Sequence, residues 1–76
     1  MMSVWFLTAV HDGVLSKSSM TVDNKEQAIE VAEDRIMYVL GVNLQSLTTH
    51  DLGTVYVWDA KDINFRAALI CGGESK

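Results

Sequence analysis

Proline is absent from this chain of 76 residues, and cysteine occurs only once, as Cys71. A single cysteine excludes an internal disulfide framework and is typical of proteins from a reducing compartment. No apolar run reaches the length of a membrane span, and no basic segment precedes the apolar N-terminal stretch, as a signal peptide requires. We therefore expect one cytoplasmic domain, residues 1–76, with flexible ends at 1–2 and 72–76.

Basic residues are also scarce, because six lysines and arginines stand against ten acidic residues and give a net charge of −4. This balance argues against direct binding of nucleic acid, which normally requires a basic surface. The acidity is local: the segment from Asp23 to Asp34 contains five acids and one base. That segment alone has a charge of −4, so the remaining charges of the chain roughly cancel.

Catalytic and metal-binding arrangements are missing from the sequence as well. His11 and His50 each precede an aspartate, but a metal site needs three or four convergent ligands. We expect both histidines to be turn residues. Cys71 lies in an apolar C-terminal segment, which favours a buried structural thiol over a nucleophile. We therefore expect neither an enzyme nor a bound cofactor or metal.

Residues 23–41 have the one clear helical period of the sequence. Asp23 is predicted as the N-cap, and Glu26, three residues later, completes a capping box. Gly41 is predicted to end the helix in the left-handed conformation. These features predict a helix over about 24–40, whose apolar residues recur at spacings of three and four and form one stripe. The stripe consists of Ala28, Ile29, Ala32, Ile36, Val39 and Leu40.

Strand-like segments flank the helix on both sides. Segments 3–10 and 14–22 form a predicted hairpin around Asp12-Gly13, a dipeptide that favours a two-residue turn. Segments 42–49, 54–59 and 65–71 are predicted as three more strands, although the last could also be helical. The order β-β-α-β-β-β, with one helix against a mostly antiparallel sheet, predicts a small α+β sandwich of two layers.

The sheet face that the helix leaves uncovered is expected to expose large apolar side chains. Both faces of the segment 3–10 are apolar, whereas a strand with one wet face alternates. Exposed aromatic patches usually mark interactions. A homodimeric structural or accessory module is therefore one predicted function, with Trp5, Tyr56 and Trp58 as anchors. The candidates for exposure are Trp5, Phe6, Tyr56, Val57 and Trp58.

The polar side of the predicted helix is acidic. It is either an ordinary solvated face, whose first acids suit the helix dipole, or a surface that binds a basic patch on a partner. A small-molecule or peptide sensor with a ligand between helix and sheet is a third alternative, but so small a domain has little room for a pocket. The acidic face consists of Asp23, Glu26, Glu30, Glu33 and Asp34.

The residues TVDNKEQAIEVA, from Thr21 to Ala32, lead a strand into this acidic helix. With an apolar hairpin before them and short strands after them, they resemble the small inhibitors that phages encode against host machinery, including anti-CRISPR proteins and inhibitors of host polymerase. The resemblance implies a protein of the bacterial host cytoplasm that binds one large protein or protein–nucleic-acid complex and contacts no membrane. The acidic face would then block a basic, nucleic-acid-binding site there.

Overall fold

The computed structural model describes residues 2–74, which form one sheet and one α-helix. The five strands are antiparallel and lie in the order β2-β1-β5-β4-β3. The predicted α+β fold and the order β-β-α-β-β-β are confirmed. The elements are β1 (Ser3–His11), β2 (Val14–Val22), α1 (Lys25–Tyr38), β3 (Thr48–Asp51), β4 (Val55–Ala60) and β5 (Phe65–Glu74).

The predicted hairpin of β1 and β2 is confirmed along its whole length. Asp12 and Gly13 have φ angles of 51° and 81°, the left-handed values that a type I′ turn requires at both central positions. The turn sets the register, in which His11 pairs with Val14 and Ser3 with Val22. His11 was expected in the turn, but it belongs to β1.

The N-terminus of α1 lies one residue later than predicted, and Asn24 is its N-cap. The Asn24 side chain accepts a hydrogen bond from the backbone N–H of Gln27 at 2.8 Å. The Gln27 side chain accepts one from the backbone N–H of Asp23 at 2.7 Å. The predicted pair Asp23 and Glu26 is therefore wrong, because Asn24 and Gln27 make the corresponding contacts and leave both acidic side chains exposed.

The helix α1 ends at Tyr38, two residues earlier than predicted, but Gly41 has the conformation expected of it. Gly41 has a φ of 70°, the left-handed conformation that releases the chain from the helix. The backbone N–H of Val42 then donates to the carbonyl of Ile36 at 3.1 Å. With this contact the chain leaves the helix, and the Val42 side chain is buried in the core.

The third predicted strand is mostly wrong. The Asn43 side chain accepts from the backbone N–H of Gln45 at 3.0 Å and starts a 3-10 turn, Leu44–Ser46, in place of a strand. Pairing with β4 begins only at Thr48 and continues to Asp51. Strand β3 is therefore short, and it includes His50, which we had also expected in a turn.

The last segment is a strand and not a helix, and it is longer than predicted. Residues 72–74, expected in a flexible tail, belong to β5. Register between β1 and β5 shifts at Val4 and Trp5, which leaves Gly72 as an extra residue. A side chain at Gly72 would collide with the ring of Phe6, so Phe6 packs directly on this glycine. The other expected end residues Met1, Ser75 and Lys76 lie outside the described residues.

The core lies between α1 and the sheet. Small residues of the helix, Ala28 and Ala32, are fully buried and allow it to lie close to the strands, and Ile36 continues the same stripe. The largest fully buried side chains of the sheet are Trp58, Phe65 and Leu69. This layer fixes which face of the sheet is covered and which remains open.

Candidate functional site

The acidic side of α1 is one of two surfaces that the fold displays. At 3.6 residues per turn, Glu26, Glu30, Glu33 and Asp34 lie within about 100° of arc, on the side of the helix away from the buried stripe. Asp23 precedes the helix and is exposed beside its first turn. The structure therefore brings the four helical acids to one side of α1, with Asp23 two residues before its start.

Glu33 differs from the other acids because it also contributes to packing. Its Oε2 atom accepts a hydrogen bond from Nε1 of Trp58 at 3.2 Å, and its side chain is half-buried. The indole N–H of a buried tryptophan needs such a partner. Glu33 therefore anchors α1 to β4, whereas Glu26, Glu30 and Asp34 are free to project into solvent.

The two basic residues of α1 point away from the acidic face. Lys25 forms an ion pair with Asp51 of β3. The Arg35 guanidinium donates to Oγ of Ser18 at 3.0 Å and to the carbonyl of Ser19 at 3.1 Å. Within residues 2–74, no acid of the acidic face has a basic side chain within ion-pair distance. Sequence spacing alone could not reveal this, because the partners lie 16 to 26 residues away.

Arg35 also covers part of the free edge of the sheet. Strand β2 is an edge strand. The register set by the two-residue turn before it points the backbone N–H and C=O groups of alternate residues away from β1, towards the free edge. These residues are Leu15, Lys17, Ser19 and Thr21. The outward carbonyl of Ser19 is the one that Arg35 binds. The charged side chain of Arg35 therefore blocks the middle of β2, the longer of the two edge strands.

The titration of Asp51 is perturbed by two hydrogen bonds. The hydrogen bond from Lys25, and then that from the backbone N–H of Gly53 at 3.0 Å, hold the pKa of the Asp51 carboxyl below its usual value of 3.8. Because the pKa of this carboxyl is lower in the folded than in the unfolded state, its ionised form stabilises the fold. This stabilisation is complete at a pH above the unfolded-state pKa, and it is lost as the pH falls through the folded-state pKa. The contribution therefore disappears only in acid.

We expect Lys25→Met to raise the pKa of Asp51 towards 3.8, because the first cause of its depression is removed. An NMR titration that follows the Asp51 side-chain carboxyl measures this directly. Lys61→Met, which removes a lysine that makes no contact with Asp51, is the control. An unchanged Asp51 pKa in Lys25→Met would show that the ion pair does not persist in solution.

The aromatic anchors predicted for the uncovered sheet face are wrong. Trp5 is 5% exposed and Trp58 is 0% exposed, so neither is available to a partner. Tyr56 lies on the same side, with its ring centroid 4.9 Å from that of Trp58. These three residues are on the strand positions that face α1, because the alternation of each strand sends their side chains under the helix.

The uncovered side of the sheet, here called the open face, is apolar all the same. Phe6 is 47% exposed, and Ile70 pairs directly beside it on β5. Small and branched residues fill the positions between them and β4, so the apolar surface extends over β1, β5 and β4, whereas β2 adds only Leu15 to it. The expected exposure is confirmed for Phe6. The apolar side chains of the open face are Val4, Phe6, Val10, Leu15, Val55, Val57, Ala68 and Ile70, and its polar side chains are Thr8, Lys17, Ser19, Thr21, Thr48, His50, Asp59 and Arg66.

Other candidate chemistry is not assembled. His11 is at the end of β1 against Phe65, with ring centroids 5.7 Å apart, while His50 is on β3 at the far edge of the sheet. Cys71 is a free, half-buried thiol. Among residues 2–74, no group of three or more potential metal ligands converges. A shallow cavity of about 300 Å³ lies beside the C-terminal end of α1, with Leu7, Ala9 and Leu40 among its walls.

Comparisons with known proteins leave the site to be interpreted from its own geometry. The chain matches no protein-family model, no curated protein and no solved structure. Across the described part of the chain, every helix is too short or too polar to cross a lipid bilayer.

Proposed function

We propose that this protein is a non-enzymatic inhibitor that binds a basic, nucleic-acid-binding site on a large bacterial protein or protein–nucleic-acid complex. The acidic face of α1 makes the contact, in the manner of an anti-CRISPR protein. Glu26, Glu30 and Asp34 meet lysine and arginine side chains of the target. Asp23 and Glu33 flank them, and Glu33 keeps its contact with Trp58.

The observation that carries this proposal is that no basic side chain within residues 2–74 neutralises the negative charge of the acidic face. Lys25 and Arg35 are the bases of α1, and both are engaged with strands of the sheet. An ordinary solvated helix often pairs acids with bases three or four residues away. Here Glu30 and Asp34 are four residues apart and repel each other weakly, and a basic partner would relieve that repulsion.

The spacing of the carboxylates suits competition with nucleic acid. From Glu26 to Asp34 the helix rises about 12 Å, at about 1.5 Å per residue. Four carboxylates over that length give roughly one negative charge per 3–4 Å of helix axis, close to the one charge per about 3.4 Å of duplex axis that a single DNA strand carries. A groove that binds a phosphate backbone would therefore meet a similar density of charge on α1.

The proposal is tested by capturing the target with the tagged protein from a bacterial lysate at low and at moderate salt. Mass spectrometry identifies what is retained. One nucleic-acid-binding protein or complex, retained in stoichiometric amounts and lost as salt rises, is the expected result, because exposed charges are screened within about 10 Å at 0.1 M salt. Retention that does not change with salt would contradict an acidic contact surface.

Competition separates inhibition from mere binding. The captured target is incubated with its nucleic acid, and increasing amounts of the protein are added. Displacement of the nucleic acid is expected, because both ligands require the same basic site. A ternary complex would contradict the proposed blocking mechanism even if binding itself were strong.

A homodimeric structural or accessory module is the second candidate function. The observation in its favour is the open face, where Phe6 and Ile70 expose large apolar side chains side by side. Its anchors cannot be Trp5 or Trp58, because both are buried under α1. The module would have to use the open face without them.

A further inference from the structure

We propose that the open face binds a second copy of this chain. The two sheets pack face to face across a twofold axis, and the helix of each copy remains on the outside. This inference rests on the second candidate function and specifies its geometry, and because it concerns a different surface from the acidic face, it stands or fails independently of the inhibitor function.

The pattern of side chains on β1 and β5 is that of strands covered on both faces. In β1, the residues under the helix are buried, and on the open face Phe6 and Val10 are also apolar but exposed, with Thr8 between them. In β5, Ile70 repeats this on the open face beside buried Leu69. Apolar residues on both faces are typical of strands between two layers, and α1 supplies only one layer.

The area of the open face matches what a specific dimer needs. Strands about 4.8 Å apart and residues about 3.3 Å apart make a sheet of this size about 20 Å wide and 30 Å long, or on the order of 600 Å² per copy. Two copies would bury on the order of 1,200 Å², the lower end of the range for specific interfaces. Interfaces of this size include many weak complexes, so we expect a dimer that dissociates in the micromolar range.

The shape of the open face is self-complementary. The projecting side chains Phe6, Val10 and Leu15 are on β1 and β2, at one side of the central strand β5. A shallow cavity of about 360 Å³ is at the other side. A twofold axis along β5 places the projecting half of each copy over the hollow half of its partner. The hollow is lined by His50, Leu52, Val57, Asp59, Arg66 and Ala68.

The distribution of charge selects this face over the others for self-association. Each chain has a net charge of −4, and contact between two acidic helices would bring like charges together. On the open face, Arg66 is 3.9 Å from Asp59, which offsets its charge. The remaining charged side chain described there is the exposed Lys17 of β2, so this face carries no excess of negative charge. Face-to-face packing leaves the sheets about 10 Å apart with a helix beyond each, so the acidic faces are separated by more than the Debye length of about 8 Å.

The first test measures mass by sedimentation equilibrium from about 1 μM to about 1 mM, a range that brackets micromolar affinity. The mass is expected to rise from 8.4 kDa to twice that value. Phe6→Lys is expected to weaken the dimer at least tenfold, because a buried aromatic anchor is replaced by a charge. Tyr38→Lys, the same change at a side chain 78% exposed at the end of α1, is expected to leave the dimer unchanged.

The second test uses the symmetry itself. Ala68 is on the central strand, near the proposed axis, so its side chain lies close to that of Ala68 in the other copy. In a dimer of Ala68→Glu two negative charges would therefore meet, and in a dimer of Ala68→Lys two positive charges would meet. Each variant alone is expected to be monomeric, and an equal mixture of the two is expected to form a heterodimer. Circular dichroism of each variant alone shows whether the monomer is folded.

Two results would overturn the inference. One is a wild-type protein that remains at 8.4 kDa throughout the concentration range, which would assign the open face to a different partner. The other is a dimer that survives Phe6→Lys but not Tyr38→Lys, because that dimer would use the helix side. Neither result bears on whether the acidic face binds its target.

Discussion

Glu30→Lys is expected to slow association with the target by at least about tenfold at low ionic strength, a typical size for the loss of electrostatic steering. The double variant Glu26→Lys, Glu30→Lys is expected to lose more. Both side chains are exposed on the acidic face and neither has an ionic partner within residues 2–74. The association rate is measured by surface plasmon resonance at two salt concentrations.

The expected loss follows from how charge acts before contact. Carboxylates on one side of a small protein attract a basic groove over roughly a Debye length and orient the encounter. Reversing one of them replaces an attraction with a repulsion. The difference between wild type and variant should therefore shrink as salt rises, while the dissociation rate changes less.

Asp62→Lys is the matched control for this prediction. Asp62 is exposed in the 3-10 turn after β4, far along the chain from α1, and its reversal changes the net charge by the same amount. Equal effects from Glu30→Lys and Asp62→Lys would mean that only net charge matters. No effect from either would mean that the acidic face is an ordinary solvated surface.

Trp58→Ala is expected to destabilise the fold by about 3–5 kcal/mol, the usual cost of truncating a large buried aromatic residue. Trp58 has no exposed surface, packs edge-on against Tyr56, and donates its indole N–H to Glu33. Its removal leaves a cavity under α1 and frees the contact that holds the helix to β4. Since small domains have a total stability near the low end of 5–15 kcal/mol, much of the variant should be unfolded at 25 °C.

Urea denaturation followed by circular dichroism measures this loss, and two variants calibrate it. Trp58→Phe keeps most of the ring but not the donor to Glu33, so it should cost less than Trp58→Ala. Tyr38→Ala removes an exposed aromatic side chain and should have little effect on the free energy of unfolding. If Trp58→Ala is within about 1 kcal/mol of wild type, β4 does not belong to the core.

The features that the sequence predicted correctly are set by short-range chemistry. Asp12-Gly13 supplies the positive φ values of the hairpin turn, and Gly41 supplies the left-handed end of α1. The predicted apolar stripe of the helix is buried at Ala28, Ala32 and Ile36, whereas Val39, also predicted in it, is exposed after the helix ends. Each of these depends on residues within a few positions, so local reasoning was sufficient.

The covered face of the sheet was not predictable in the same way. Segment 3–10 is apolar on both faces, so its alternation cannot show which face the helix covers. The answer depends on Trp58, whose indole N–H reaches Glu33 across 25 residues of sequence. The same limit applies to the acidic face: its acids were evident, but the diversion of Lys25 and Arg35 to the sheet depends on tertiary contacts.

The prediction of the third strand was wrong because of a local signal that is present in the sequence. Asn43 caps a 3-10 turn through the backbone N–H of Gln45, and it competes with strand pairing there. Leu44 and Leu47 are three residues apart and each packs against the core, which suits one helical turn better than a strand. An asparagine before this spacing was the available indication.

The position of Arg35 has a consequence for the solubility of the protein. A nine-residue edge strand such as β2 is a template on which further chains could add indefinitely and form a fibril. The guanidinium on the Ser19 carbonyl interrupts that template at its middle, and the opposite edge, β3, is only four residues long. Growth along the strand-pairing direction is thereby opposed at both ends of the sheet, and any association is directed to surfaces where it closes after a fixed number of copies.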